Sequence, residues 1–193
     1  MSDIPSSPAA FFTKYLPDRL AAVELPQASS VGSVVFSVPG SGSFSFRLVT
    51  GKLEVESAAH SDAIVTVTIP AESFETLVVR GVALLEAHHV DPQRQLLAFR
   101  ALSLDGERAN LIRGVRGTVA FAVVDGDVTH RAYVTPGAAS VNVSQPECEV
   151  ACDASVFWDL QSGKQNAFEL LMAGKLRISG DAQIPMAMSS LFA

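Results

Sequence analysis

Apolar and polar residues alternate with period two over four successive stretches, SVVFSV (33–38), SFSFRLV (43–49), KLEVES (52–57) and AIVTVTI (63–69), and β-branched residues are frequent in them. Alternation sends neighbouring side chains to opposite faces of a strand, so the four are predicted to form an antiparallel meander with one face buried. In the last of them Val65, Val67 and Ile69 share one face, and Ile64, Thr66 and Thr68 the other. Pro39-Gly40 and Gly51 supply turns between strands. Ahead of this sheet Phe12, Tyr15, Leu16, Arg19 and Leu20 recur at helical spacing within residues 9–22, and Pro17 is expected to break or kink that helix. Behind it Pro70 starts a helix whose apolar stripe is Phe74, Leu77 and Val78 and whose expected end is Gly81. Leu84, Leu85, Leu96 and Leu97 predict further helix, interrupted at 88–92. A short strand at 102–104 and a turn at Asp105-Gly106 follow.

The second half runs through a similar order of elements. Gly117-Thr118-Val119-Ala120-Phe121 echoes Gly32-Ser33-Val34-Val35-Phe36. Residues 146–163, PECEVACDASVFWDLQSG, parallel the strand-to-helix passage 61–81. LLAFRALSLDGE (96–107) parallels LLMAGKLRISGD (170–181), with Leu102, Leu104 and Gly106 falling on Leu176, Ile178 and Gly180. Agreement in order across separate blocks predicts a tandem duplication, divided as an N-terminal helix and linker (1–31), a first repeat (32–115) and a second (116–193). Within the second, Asp153 is placed to cap a helix bearing Val156, Phe157 and Leu160, which Gly163 ends. Asn166 caps another, with Glu169 completing a capping box and Gly174 at the left-handed stop. Ile184, Met188 and Leu191 predict a closing helix over 181–192, with Pro185 delaying its start.

Composition narrows the function classes. Apolar residues make up 48% and charged residues 18% of 193, ample for a packed core. A net charge of -6 and scattered basic residues give no footprint for nucleic acid and argue against broad attraction to anionic lipid headgroups. No apolar run is long enough to span a bilayer, and the first residues lack the basic start and apolar stretch of a secretion signal, so a cytoplasmic, non-integral protein is expected.

Candidate chemistry is sparse. His88 and His89 stand beside Asp91, but adjacent histidines on a helix diverge by about 100° and no third ligand is spaced to join them. His60 and His130 carry no assigned role. Cys148 and Cys152, four apart on a predicted strand, have Cα atoms about 13 Å apart, too far for a disulfide or a shared metal. No nucleophile elbow, phosphate loop, dinucleotide fingerprint or zinc-protease motif occurs. No catalytic residue, metal or cofactor is assigned, and an enzyme is not expected.

The tail FELLMAGKLRISGDAQIPMAMSSLF (168–192) resembles the C-terminal signature of the sterol-carrier-protein-2-like family: a helix ending in a small residue and Gly, a short basic-apolar strand, Gly-Asp, then an amphipathic closing helix. Phe168, Leu171, Ala173, Gly174, Lys175, Leu176, Ile178, Gly180, Asp181, Met188, Leu191 and Phe192 fall on that pattern, and Phe157, Leu160, Gly163 and Lys164 on the step before it. The resemblance extends over about residues 8–193 in element order and at residue level only over 147–193. It implies an α+β fold, an antiparallel-rich mixed sheet covered on one face by helices, with an apolar tunnel between the layers. The first repeat departs from the pattern at Arg100, where the second has Gly174, and by a longer insertion over 88–95.

What the resemblance implies is a carrier for a lipid, sterol, fatty acyl or isoprenoid chain, lined by Phe157, Leu160, Phe168, Leu171, Met172, Leu176, Ile178, Met186, Met188, Leu191 and Phe192. Methionine adapts to ligands of varied shape, which suits such a lining, although the same side chains would equally serve to fill a core. The alternative is a scaffold with closed tunnels that docks onto a lipid- or quinone-metabolising enzyme, which makes that enzyme the second kind of partner expected.

Overall fold

The computed structural model describes residues 4–21, 27, 29–87, 97–139 and 141–188. Eight strands form one open, mixed sheet in the order β3-β2-β1-β4-β6-β5-β7-β8. They are β1 Ser33–Val38, β2 Gly42–Val49, β3 Lys52–Glu56, β4 Ala63–Thr68, β5 Val119–Asp125, β6 Val128–Pro136, β7 Cys148–Asp153 and β8 Arg177–Gly180. The first four lie where the alternation places them. Their connectivity differs from a simple meander, because β4 runs parallel to β1 instead of antiparallel to β3. β5 and β7 form the second parallel pair, and every other neighbour is antiparallel.

The order β2-β1-β4 in the first half is matched by β6-β5-β7 in the second, with the same strand directions. β8 then lies antiparallel on β7, and the corresponding place on β4 is held by β6. The strand expected at 102–104 is therefore not formed. Leu102 and Ser103 belong instead to a 3-10 helix, Leu97–Ser103, and Leu104 follows it, since the edge they would pair with is already occupied. Asp105, expected in a turn, instead caps α3 (Gly106–Gly114), its carboxylate accepting from the Arg108 N–H at 2.8 Å.

The helices share the sheet face that carries Val34, Phe36, Phe46, Val65, Val67, Val119, Val134, Val150 and Cys152, and one apolar core runs through both halves. The N-terminal helix α1 (8–21) stays helical through Pro17. A π-turn over Phe11–Tyr15, in which the Leu16 N–H reaches back to the Phe11 carbonyl, sits directly before the proline and relaxes the register that its ring would obstruct. Helix α2 (71–87) likewise does not stop at Gly81, whose φ of -59° and ψ of -51° are helical. The insertion at His88, His89 and Asp91 lies outside the described residues. Helices α4 (Ala154–Gln161), α5 (Ala167–Met172) and α6 (Gln183–Ala187) complete the layer.

Aromatic side chains fill the first half. Phe12 lies 5.0 Å from Phe36, 5.1 Å from Phe44, 5.2 Å from Phe11, 5.8 Å from Phe74 and 5.9 Å from Phe46, and Phe99 adds its ring to Phe36 and Phe46. Phe11, Phe12, Phe36 and Phe46 are fully buried. The opposite sheet face carries small and hydroxyl side chains, Ser37, Ser43, Ser45, Thr66, Thr68 and Thr135 among them, together with charged ones such as Arg47, Glu56, Arg131 and Glu149.

Candidate apolar site in the second half

Helix α4 follows β7 directly. Asp153 takes the N-cap position in extended conformation, without a side-chain bond to the helix, and Gly163, at φ +73°, turns the chain after its end. Val156, Phe157 and Leu160 pack against the core, yet no residue of α4 is buried. On this face the sheet presents Phe121, Val150, Cys152 and Ile178, and Leu176 and Met188 belong to the same core, Met188 being only 1% exposed.

The expected capping at Asn166 is present, its side chain accepting from the Glu169 N–H at 2.8 Å. Gly174, at φ +68°, ends α5, and the Lys175 and Leu176 N–H groups both return to the Leu170 carbonyl. The Gly180-Asp181 step is explained by Glu147. A Cβ on Gly180, whose φ is +82°, would sit 2.3 Å from the Glu147 carbonyl oxygen, while the Asp181 N–H donates to that same oxygen at 2.8 Å. The Glu147 carboxylate accepts from the Thr118 N–H at 2.7 Å, and backbone N–H bonds of this kind hold it below the ordinary glutamate range. The Asp181 carboxylate in turn accepts from the Gln183 N–H at 2.9 Å, just ahead of α6, whose N-cap position is Ala182.

The sequence-derived lining divides into two sets. Phe157, Leu160, Leu176, Ile178 and Met188 turn toward the interior. Phe168, Met172 and Met186 are 71%, 73% and 70% exposed, and Leu171 is 39% exposed, so these four do not face the gap between helix and sheet. The reason is local: α5 is six residues long and Leu170 alone of them is buried, which turns the positions across the helix outward. Leu191 and Phe192 lie outside the described residues.

Two features were not read from the sequence. On the outer sheet face a pocket of about 210 Å³ is lined by Val35, Ser37, Thr66, Thr68, His60 and Val141 among others. Beside it Arg47 donates to Asp62 and lies 3.2 Å from His60 Nδ1, while His60 Nε2 is 2.9 Å from Glu56. Burial raises the Asp62 pKa, but the hydrogen bonds from Arg47 and Ser33 outweigh it and leave the carboxyl below its ordinary range. With both ring nitrogens of His60 engaged, the cluster reads as a structural tie between β2, β3 and the 57–62 loop. Among the described residues no group of three or more His, Cys, Asp or Glu could hold a metal ion. Cys148 and Cys152 are free and buried, and burial pushes the Cys152 thiol up to about 11.

Residues 98–193 match the profile of the SCP-2 sterol transfer family, and these residues span α3, β5 to β8, α4, α5 and α6. This segment belongs to the SCP-2 family. Solved SCP-2 structures are also similar to the chain. The sterol carrier protein domain 2 of Helicoverpa armigera is 27% identical, covering 53% of this chain and 89% of that one at a TM-score of 0.35. The palmitated SCP2L2 of Aedes aegypti is 19% identical over 62% and 94%, at 0.37. A ubiquinone synthesis protein, UbiJ-SCP2, is 20% identical over 62% and 91%, at 0.35. No curated protein matches the chain at a significant level. Among the described residues no helix is long and apolar enough to cross a membrane.

Proposed function

We propose that the chain is a non-catalytic carrier of one apolar ligand, a sterol, fatty acyl or isoprenoid chain, held under α4 in the second half. The observation that carries this reading is the uneven packing of the core: a cage of phenylalanines fills the first half, whereas in the second the side chains of α4 that pack on the core, Val156, Phe157 and Leu160, are only partly buried. Phe157, Leu160, Leu176, Ile178 and Met188 form the proposed lining. Membership of the SCP-2 family over 98–193 supports the ligand class. The matching strand orders of the two halves support a tandem duplication over 32–115 and 116–193, in which the first copy has become a scaffold. Free thiols at both cysteines suit a reducing compartment such as the cytoplasm.

Burying methylenes contributes about 0.8 kcal/mol each, so roughly ten of them reach micromolar affinity without any charged contact. The single tryptophan, Trp158, stands on α4 with its ring 4.7 Å from that of Phe157, and so reports on this site. Titration of delipidated protein with a brominated fatty acid is expected to quench Trp158 with a micromolar midpoint. Absence of quenching, together with lipid-free protein in native mass spectra of material purified without detergent, overturns the reading.

A further inference from the structure

We propose that the outer-face pocket between the 57–62 loop and the loop after β6 is a binding site for a short neutral alcohol, diol or ketone. Its floor is the hydroxyl-bearing stretch of β1, β2 and β4, with Ala59 and His60 in one wall and Ala138, Ala139 and Val141 in the other. Both walls are fastened to the sheet without help from a ligand. The Ser45 hydroxyl donates to the Ala58 carbonyl, and Arg113 donates to the Asp62 carbonyl at 2.8 Å. On the other side the Gly137 N–H donates to the Ile64 carbonyl at 2.8 Å, and the Thr66 hydroxyl donates to the Gly137 carbonyl at 2.8 Å. The pocket is thus a fixed feature of the fold.

Thr68 decides what the pocket takes. It is only 5% exposed and lines the pocket, yet its hydroxyl has no hydrogen-bond partner among the described residues. Ser43 and Thr66 spend their protons on Ser37 and on the Gly137 carbonyl. Ser37 accepts from Ser43 at 3.2 Å and so keeps its own proton to give. Ser37 and Thr68 are direct partners in the parallel pairing of β1 with β4, which sets two unspent hydroxyls side by side. A covered hydroxyl left unmet is costly, so this end of the pocket calls for an oxygen that accepts from it. Val35, Val141 and the alanines line the remaining space, which suits a short alkyl portion.

Charge selects a neutral molecule. Among the described residues no Lys, Arg, Asp or Glu lines the pocket, and His60 has both ring nitrogens engaged, by Arg47 at 3.2 Å and Glu56 at 2.9 Å. Arg47 is itself bound to Asp62; its Nε lacks a partner, but the residue does not line the pocket. An ionised ligand would lose its water here and find no free counter-charge. A cavity of about 150 Å³ accommodates benzene, so one of about 210 Å³ takes a molecule of roughly eight non-hydrogen atoms.

The site lies on the sheet face away from α4, so its test is independent of the carrier reading. A diol of that size, 1,2-hexanediol, is titrated into the full chain carrying isotope-labelled Ala, Thr and Val methyl groups and followed by NMR. Saturable shifts at Val35, Thr66, Thr68 and Val141 are expected with a low-millimolar midpoint. Hexanoate, the anion of the same chain length, is expected to bind about tenfold more weakly. Thr68→Val keeps the shape but removes the hydroxyl, and is expected to weaken diol binding about fivefold without lowering the melting temperature. Ala139→Trp, at an exposed position on the pocket wall, is expected to abolish the shifts, and decides the matter should Thr68→Val disturb its strand. Shifts that do not saturate, or that gather around Trp158 instead, overturn the proposal. Equal binding of hexanoate, or undiminished binding by either variant, overturns it too.

Discussion

Two residues show how burial and hydrogen bonding set reactivity in this chain. Cys148 and Cys152 face the core from β7, and the raised pKa of the Cys152 thiol means that almost no thiolate exists at neutral pH. Both are therefore expected to resist a thiol-specific chromogenic reagent in the native state and to react fully once the chain is unfolded in guanidinium. Rapid labelling without denaturant contradicts the packing. Asp62 behaves oppositely. Its folded pKa is lower than its unfolded one, so its bond to Arg47 contributes stability above the ordinary value of 3.8, and that contribution is lost as pH falls through the folded value. In Asp62→Asn the melting temperature is accordingly expected to lie below the parent's at pH 7 and to approach it in acid. Two parallel melting curves across that range contradict the assignment.

At the scale of elements, Gly81 couples the halves. It lies mid-helix in α2, where alanine would ordinarily be favoured by about 1 kcal/mol. A Cβ there would stand 2.8 Å from the Trp158 ring on α4. Gly81→Ala is expected to displace that ring and shift its fluorescence emission to longer wavelength, while helix content is unchanged. An unaltered spectrum shows that the two helices do not meet as described. The same residue shows what sequence patterns could and could not disclose. A glycine after an apolar stripe signals a helix end, and only the tertiary neighbour Trp158 explains a glycine placed inside. Helix α3 was missed because Arg108, Asn110, Arg113 and exposed Leu111 leave it almost no apolar stripe, with Ala109 and Ile112 its buried residues. The four strands of the first half were legible because each alternates cleanly. The parallel direction of β4 was not, since pairing partners are fixed by distant chain. In the second half the glycine and capping positions around α5 were readable from local chemistry. The outward turn of Phe168 and Met172 was not, because periodicity locates a stripe without saying which side of the helix the protein covers.

Across the whole molecule the two halves differ in how tightly they are filled. Phe12→Ala would open a cavity within a fully enclosed aromatic cage and is expected to cost about 3–5 kcal/mol in urea denaturation. Phe157→Ala removes a partly buried ring from α4 and is expected to cost less than Phe12→Ala, under about 2 kcal/mol, while weakening binding of the brominated fatty acid. Equal losses at the two positions contradict the asymmetry on which the proposed ligand site depends.

β6 serves β4 on one side and β5 on the other. Truncating the polypeptide to residues 1–115 strips β4 of its neighbour, and expressing 98–193 leaves β6 with a bare flank of unpaired amide and carbonyl groups. Each fragment is expected to precipitate or self-associate when produced separately, and mixing them at equal concentration to restore solubility. The two halves are accordingly expected to fold as one unit, so that obtaining the second in soluble form requires the first.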